Sequence, residues 1–398
     1  MRFKLECYEL QELMKIKYGK NQKKVEDENG EFPILGTGGV MGYANKFLYD
    51  KPSVLIGRKG SISKVKYIDK PFWTVDTLFY TEINENKALP LYIYYYLSQI
   101  DFNYYNEGTT IPSLRTETLN KIEIYLPNIK VQNKIVDFLS NIDKEIELNT
   151  KIISNLEQLS QTLFKHWFID FEFPNEEGKP YKSSGGEMEE SELGEIPKAW
   201  EIYNVNEFAK SISNSINKKE KQYAKFLNTS DVLDGEIADV DFLPTKNMPG
   251  QAKKLIEQND ILYSEIRPKN KRYAYIQIEN ADDYVVSTKL MVLRTNEEIL
   301  SSKLFYIWLT MQSTINELNQ IAESRSGTFP QITFSILSKF KLALPPKNLM
   351  DALTATVTPL LNEIYELRSE NKKLVELRDI LLPKLLSGEI EIPDNLEV

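Results

Sequence analysis

Two stretches of the chain place their apolar residues at alternating steps of four and three. The first runs Ile135, Leu139, Ile142, Ile146, Ile153, Leu156, Leu163 and Trp167, with Asn149 and Ser160 interrupting it. The second runs Leu353, Val357, Leu360, Ile364, Leu367, Leu374, Leu381 and Leu385, interrupted by Asn371 and Arg378. This is the heptad spacing of a coiled-coil seam. Two copies at one spacing predict that the helices pair with each other, and their tandem order predicts an antiparallel pair. If all ten positions overlap, Asn149 faces Asn371, a polar device that sets register at some cost in stability. Both copies also carry restart signals. Ser140 with Asp143 reads as a capping box, and Thr358–Pro359 as an N-cap followed by proline at the first helical position. A short helix is expected before each point and a long one after it. The first long piece, residues 141–167, would span roughly 40 Å.

Outside the seams the pattern changes. SVLIG, FWTVDTLFY, RYAYIQI and YVVSTKLMVL are short β-rich runs between Gly- and Asn-marked turns. LPLYIYYYLSQI at 89–100 and KLFYIWLTMQSTI at 303–315 read as buried helices whose aromatics belong to the core. These segments recur. A shift of 218 residues lays TTIPSL on GTFPQI and Leu126-Pro127 on Leu344-Pro345, whereas WTVDTLFY meets YVVSTKLM at a shift of 211. Each half is therefore a variable globular part followed by a regular helical one. The expected class is α+β. Two mixed globular domains, residues 1–127 and 201–345, would be separated by two long antiparallel coiled-coil helices in a pseudo-twofold repeat. The helical segments are 128–172 and 346–398. Residues 173–200, rich in Gly, Pro, Ser and Glu, read as an exposed connector.

A length of 398 residues exceeds one compact core, in keeping with two domains. No apolar run suggests a membrane span or a secretory leader, and the single cysteine, Cys7, fits a reducing cytoplasm. The single histidine, His166, removes His-rich zinc sites and leaves a Ser-His-Asp triad only one route. It sits in LFKHWFIDF and reads as a helix-end packing residue. No phosphate-binding loop of the G-x-x-x-x-G-K-[ST] kind is present. ILGTGGVMGY at 34–43 lacks a following βαβ unit and reads as a glycine turn. Asn-Pro-Pro-Phe and Asp-Pro-Pro-Tyr loops, which an amino-methyltransferase needs, are missing too. No catalytic constellation emerges, and no metal site.

The net charge of −9 argues weakly against a nucleic-acid partner, but the acid is localised. Residues 128–200 hold 8 basic and 14 acidic side chains, whereas 1–127 hold 17 and 16, and 201–345 hold 18 and 18. Local clusters, not the global sum, neutralise phosphates. IGRKGSISKVKYID brackets Arg58 and Lys59 with glycines and adds Ser61 and Lys64. A second cluster holds Arg267, Lys269, Lys271 and Arg272, with Tyr273 beside it. Polar turns ahead of the seams offer Thr109, Thr110, Ser113 and Arg115, then Arg325, Ser326, Thr328 and Gln331. Thr37 and Tyr43 on the glycine turn complete the set of expected DNA contacts. Arg, Lys, Gln and Ser can reach base edges or phosphates in this way. The bland alternative is a solvated hairpin turn for the Arg58–Lys59 loop and, for the polar turns ahead of the seams, a loop packing against the helix that follows.

These residues resemble a known family. GRKGSISKVKYID, the loop GTTIPSL before LPNIKVQNKIVDFLSNIDKEIELN, the bridge HWFIDFEFPNEEGKPYKSSGGEMEESELGEIPKAW and the ending LRDILLPKLLSGEIEI are similar to the specificity subunits of type I restriction–modification systems, over nearly the whole chain. The resemblance implies two target recognition domains, each reading half of a split double-stranded DNA sequence. It implies helices that act as spacer and as docking surface for two methyltransferase subunits, through which restriction–translocase subunits join. S-adenosylmethionine, ATP and Mg would belong to those partners, and this chain would be non-catalytic. Residues 201–345 match less well in their base-reading loops. A coiled-coil adaptor without DNA binding is the other reading.

Overall fold

A computed structural model of the chain describes residues 3–325 and 330–393. In the first half the order is β1 (Glu6–Glu9), α1 (Leu10–Leu13), β2 (Met14–Tyr18), β3 (Phe32–Gly36), β4 (Gly39–Ala44), β5 (Ser53–Gly57), β6 (Val65–Ile68), β7 (Trp73–Thr74), β8 (Leu78–Ile83), α2 (Pro90–Ser98), α3 (Thr116–Asn120), β9 (Glu123–Leu126) and α4 (Ile129–Phe164). The second half begins with a hairpin, β10 (Met188–Ser191) and β11 (Gly194–Pro197), and continues through β12 (Glu201–Asn204), α5 (Val205–Phe208), β13 (Ala209–Ile212), β14 (Tyr223–Leu227), β15 (Val232–Leu233) and β16 (Glu236–Ile237). Then come β17 (Phe242–Pro244), β18 (Ala252–Leu255), β19 (Ile261–Ser264), β20 (Tyr273–Tyr275), β21 (Tyr284–Ser287), β22 (Leu290–Thr295), α6 (Ser302–Thr310), α7 (Gln312–Arg325), α8 (Phe334–Leu337), β23 (Lys341–Leu344) and α9 (Lys347–Leu386).

The chain forms two compact units, one of residues 1–148 with 371–398 and one of residues 149–370. The division cuts through both long helices rather than beside them. Inside each unit the same plan recurs. The first has a four-stranded sheet β2-β8-β5-β6, a small sheet β4-β3-β7 and a ladder β1-β9; the second has β13-β22-β19-β20, β17-β14-β21-β18 and β12-β23. In the ladders Glu6 opposes Leu126 and Glu201 opposes Leu344. The repeat offset thus grows from 195 at the first strand to 218 at the last.

Local chemistry explains the elements. β5 is buried along its whole length, as a central strand should be, and its apolar run ends at Gly57. α1 and α5 are single turns closed by reciprocal capping boxes, Glu9 with Glu12 and Asn204 with Glu207. α2 starts with Pro90 and buries Tyr92, Ile93, Tyr95 and Leu97, so its aromatics are core. α6 does the same with Phe305, Tyr306 and Ile307. In the second unit Arg294 on β22 clamps the fully buried Asp260 just before β19 through two bonds of 2.7 and 2.9 Å.

The helix pairs are antiparallel within each unit. In the first, Arg378 donates to Asp143 at 2.9 Å, and Ile135 and Leu139 share a core with Leu382 and Leu385. In the second, the Asn149 amide donates to Glu370 at 3.1 Å and Arg368 to Glu157 at 2.6 Å. The contacts of Asp143 and Asn149 lie within one residue of the heptad expectation, which opposes 142 to 378 and 149 to 371; Arg368 reaches five residues farther along. Asn149 is buried, and the bond recorded for it goes to Glu370, the neighbour of Asn371. Ile142 and Ile364 are buried, while Ile146, Leu156, Leu360 and Leu374 are half-buried. Leu361 takes the buried place expected of Leu360, the drift of a 3.6-residue turn against a 3.5-residue repeat.

Two expectations are corrected. α4 and α9 run unbroken for 36 and 40 residues, about 54 and 60 Å at 1.5 Å per residue. The Ser140 hydroxyl donates to the Asp137 carbonyl and the Thr358 hydroxyl to the Thr354 carbonyl, so neither caps a new helix. Asp143 is occupied by Tyr95 and Arg378. Pro359 withdraws one amide, but buried Val357 and Leu361 hold the helix on either side. The second correction concerns the connector 173–200. It packs onto its own unit, burying Phe173, Ile196 and Trp200, with Phe173 stacked on Trp200 at 5.4 Å and on Tyr181 at 4.5 Å. Ahead of it α4 ends in a π-helical turn, Lys165–Ile169, where His166 is exposed and Phe168 does the packing.

Breaking a buried ion pair strands the partner charge. Arg294→Met should lower the unfolding free energy by about 3–5 kcal/mol, with the Asp260→Leu/Arg294→Met double variant losing less. Urea unfolding of the three chains measures both.

Candidate nucleic-acid interface

In the first unit the two expected contact loops meet. Gly57 lets the chain fold back after β5, because a Cβ there would lie 2.3 Å from the Ser61 carbonyl oxygen. Gly60 then takes φ +83°. The Arg58 amide donates to Thr77 O at 2.8 Å, the Gly60 amide to Pro112 O at 2.9 Å and the Leu114 amide to Arg58 O at 2.9 Å. Lys59 bridges Ser113 in the same ladder. Residues 58–60 and 112–114 are therefore one platform.

Its side chains divide into two groups. The Arg58 guanidinium donates to Asp76 O at 2.8 Å and lies over the Tyr18 ring at 5.2 Å, so it braces the platform from below. Arg115 is held by Glu107 at 3.1 Å. Lys59, Ser61, Lys64, Thr109 and Thr110 are exposed, and Ser113 is half-buried. Neither Lys59 nor Lys64 has an ion-pair partner among the described residues. Thr37 lies half-buried at the β3–β4 turn, where its carbonyl accepts from Lys66 at 3.0 Å, and Tyr43 is exposed on β4.

The second unit rebuilds this platform with different residues. The Arg267 amide donates to Pro330 O at 3.1 Å, the Ile332 amide to Glu265 O at 2.8 Å, and Ile266 bridges Gln331. Arg267 therefore occupies the place of Gly60, and it too has positive φ, +46°. Its side chain is exposed. Lys269 pairs with Glu323 at 3.0 Å on the surface, Arg325 is exposed at the end of α7, and Gln331 is half-buried. Ser326 and Thr328 lie outside the described residues.

Three second-unit expectations change character. Tyr273 is 4% exposed, stacks on Tyr263 and donates to Asp234 at 2.7 Å, so it is core and out of reach of a base. Arg272 donates to the carbonyls of Ser230 and Val232 at 2.8 and 3.2 Å, and Lys271 pairs with Asp234 at 3.2 Å. Both tie the loop to the β15–β16 hairpin. Conversely, sequence reading passed over Lys20, Lys23 and Lys24. They are exposed on a turn beside the platform, where the Lys20 amide donates to Thr74 O at 2.8 Å and Trp73 Nε1 to Lys20 O at 2.8 Å. The second unit repeats the pair as exposed Lys218 and Lys219, at the 195-residue offset of the first strands. That offset was the available signal.

A family model described as the type I restriction modification DNA specificity domain matches residues 4–158 and again 197–375. The chain belongs to the type I restriction–modification specificity subunits. This family serves recognition rather than catalysis. The HindI specificity subunit of Haemophilus influenzae is 38% identical over 177 residues, which is 44% of this chain and 38% of that protein. The MjaIX specificity subunit of Methanocaldococcus jannaschii is 25% identical over 87% of this chain and 79% of its own length. Among solved structures, the S subunit of a type I system from M. genitalium shares the fold, with a TM-score of 0.64, 17% identity and 96% of each chain covered. Among the described residues of this specificity subunit, no helix is long and apolar enough to cross a membrane, and no acidic, His or Cys cluster could hold a metal ion.

The geometry separates exposed cations from braces. Lys59→Ala should reduce the slope of log affinity against log salt by about one, whereas Arg267→Ala should cost about 1–3 kcal/mol of binding and relax one position. Arg272→Ala should instead cost about 1–3 kcal/mol of folding stability. Salt titrations of duplex binding and thermal melts distinguish the two groups.

Proposed function

We propose that this specificity subunit reads a bipartite double-stranded DNA target, one half through each platform, and that α4 and α9 dock methyltransferase subunits, through which restriction–translocase subunits join. The observation that carries this reading is the duplicated platform: two pairs of loops with different side chains, joined by the same three backbone links, each presenting an exposed cation. A coiled-coil adaptor has no use for such a feature. Exposed Leu148 and Leu159 on α4, and Leu377 and Ile380 on α9, support a docking role for the helices. S-adenosylmethionine, ATP and Mg are assigned to the partners.

On this reading, first- and second-unit residues act on different half-sites. Base-reading side chains should cost about 1–3 kcal/mol each when truncated and relax one position. Phosphate-binding lysines weaken all sequences alike.

The helices would then be the ruler between half-sites. Removing seven residues from each of α4 and α9 keeps the seam in register and removes about 10 Å. The unmethylated gap between the two recognised half-sites should shorten by a few base pairs, or binding should fail. Mapping of methylated sites in cells carrying the shortened subunit reads this directly, and an unchanged gap would remove the helices from that role.

A further inference from the structure

The second platform is held in a conformation its own residues do not favour. Arg267 and Lys271, at the two ends of a 3₁₀ turn, both adopt left-handed backbone, φ +46° and +53°. Non-glycine residues persist there only where the surroundings over-determine them. At Arg267 they include the links to Pro330 and Gln331 already described, and at Lys271, the other end of the turn, they are the β15–β16 hairpin. Its two-residue turn, Asp234–Gly235, has φ +48° and +85°, the geometry Asp-Gly favours in tight hairpins. The Asp234 amide donates to Lys271 O at 2.7 Å and the Gly235 amide to Tyr273 O at 2.9 Å. The Asp234 carboxylate takes Lys271 and Tyr273.

The other face of that turn rests on the long helices. Arg368 of α9 donates to the carbonyls of Gly235 and Asp234, at 3.0 and 2.7 Å, and to Glu157 of α4 at 2.6 Å. The approach is so close that a Cβ on Gly235 would lie 2.4 Å from the guanidinium. Burial pushes the Glu157 carboxyl up from its usual range and Arg368 draws it back. A small cavity of about 110 Å³ beside this network is lined by Glu157, Asp234, Lys271, Tyr273 and Tyr306.

We propose that Arg368 is a positioning residue for DNA reading by the second unit: through the Asp234–Gly235 turn it holds the strained loop that presents Arg267. The inference rests on the DNA-reading role proposed above. Arg368 itself touches no DNA in this scheme. It converts the rigidity of the helix pair into a fixed direction for a cation several residues away.

The test uses the full chain assembled with its methyltransferase subunits and the methylated sequence found by mapping. Binding is compared for duplexes altered in one half-site or the other. Arg368→Met should lower discrimination at the second unit's half-site about tenfold and leave the first within about twofold. It should also speed hydrogen exchange at the Asp234 and Gly235 amides. Arg368→Lys, which keeps the charge beside Glu157, should recover part of the loss. Asp234→Asn, which weakens the turn's grip on Lys271, should reproduce the half-site-selective loss, and serves if Arg368→Met does not fold. Arg267→Ala is the control for the underlying reading: if it leaves binding unchanged, DNA reading by this loop falls. If Arg267→Ala weakens binding but discrimination survives in Arg368→Met and Asp234→Asn, or falls equally at both half-sites, the positioning role is overturned.

Discussion

Each unit is closed by one short antiparallel ladder. Its first strand pairs with the strand that immediately precedes a long helix, Glu6 to Leu126 in one case and Glu201 to Leu344 in the other. That pairing has the longest sequence separation of any strand pairing in its unit. It also sets the root of the helix against the sheet. In both units the first residue of the turn that follows hydrogen-bonds across the closure, Leu10 to Ile122 O and Val205 to Phe340 O. The platforms, the buried aromatic helices and the helix roots all inherit their positions from this seam.

Much of this was legible from residue pattern. The short β-rich runs became strands, the aromatic segment at 89–100 became a buried helix, and that at 303–315 became two helices parted at Met311. The heptads set a register good to one residue. What failed is instructive. Ser140 and Thr358 look like caps because hydroxyls near a helix start usually are, but in a helix interior the same hydroxyl can donate back to the preceding turn. Pattern alone does not tell these states apart; the burial of Val357 and Leu361 does. The connector is mostly exposed, as its Gly, Pro and Glu imply; what its composition hid is that Phe173, Tyr181 and Trp200 anchor it to its unit.

The site was legible in the first unit and less so in the second for a physical reason. In the first, the loop's shape is written locally, by glycines at 57 and 60. In the second, it is imposed from outside by a hairpin and an arginine more than ninety residues downstream. A local reading sees only cations in the second loop and cannot tell the brace Arg272 from the exposed Arg267. The three matching backbone links reveal the equivalence; the 218-residue shift already lays Pro112 on Pro330, but nothing in residue identity lays Gly60 on Arg267.

The exchange of Gly60 for Arg267 at one backbone position has an evolutionary consequence. Where a fold stores a loop's shape in the loop's own glycines, changing its chemistry endangers its geometry. Where scaffolding supplies the shape, the tip residue is free to vary. The second arrangement lets new side chains be tried one at a time on an unchanged frame.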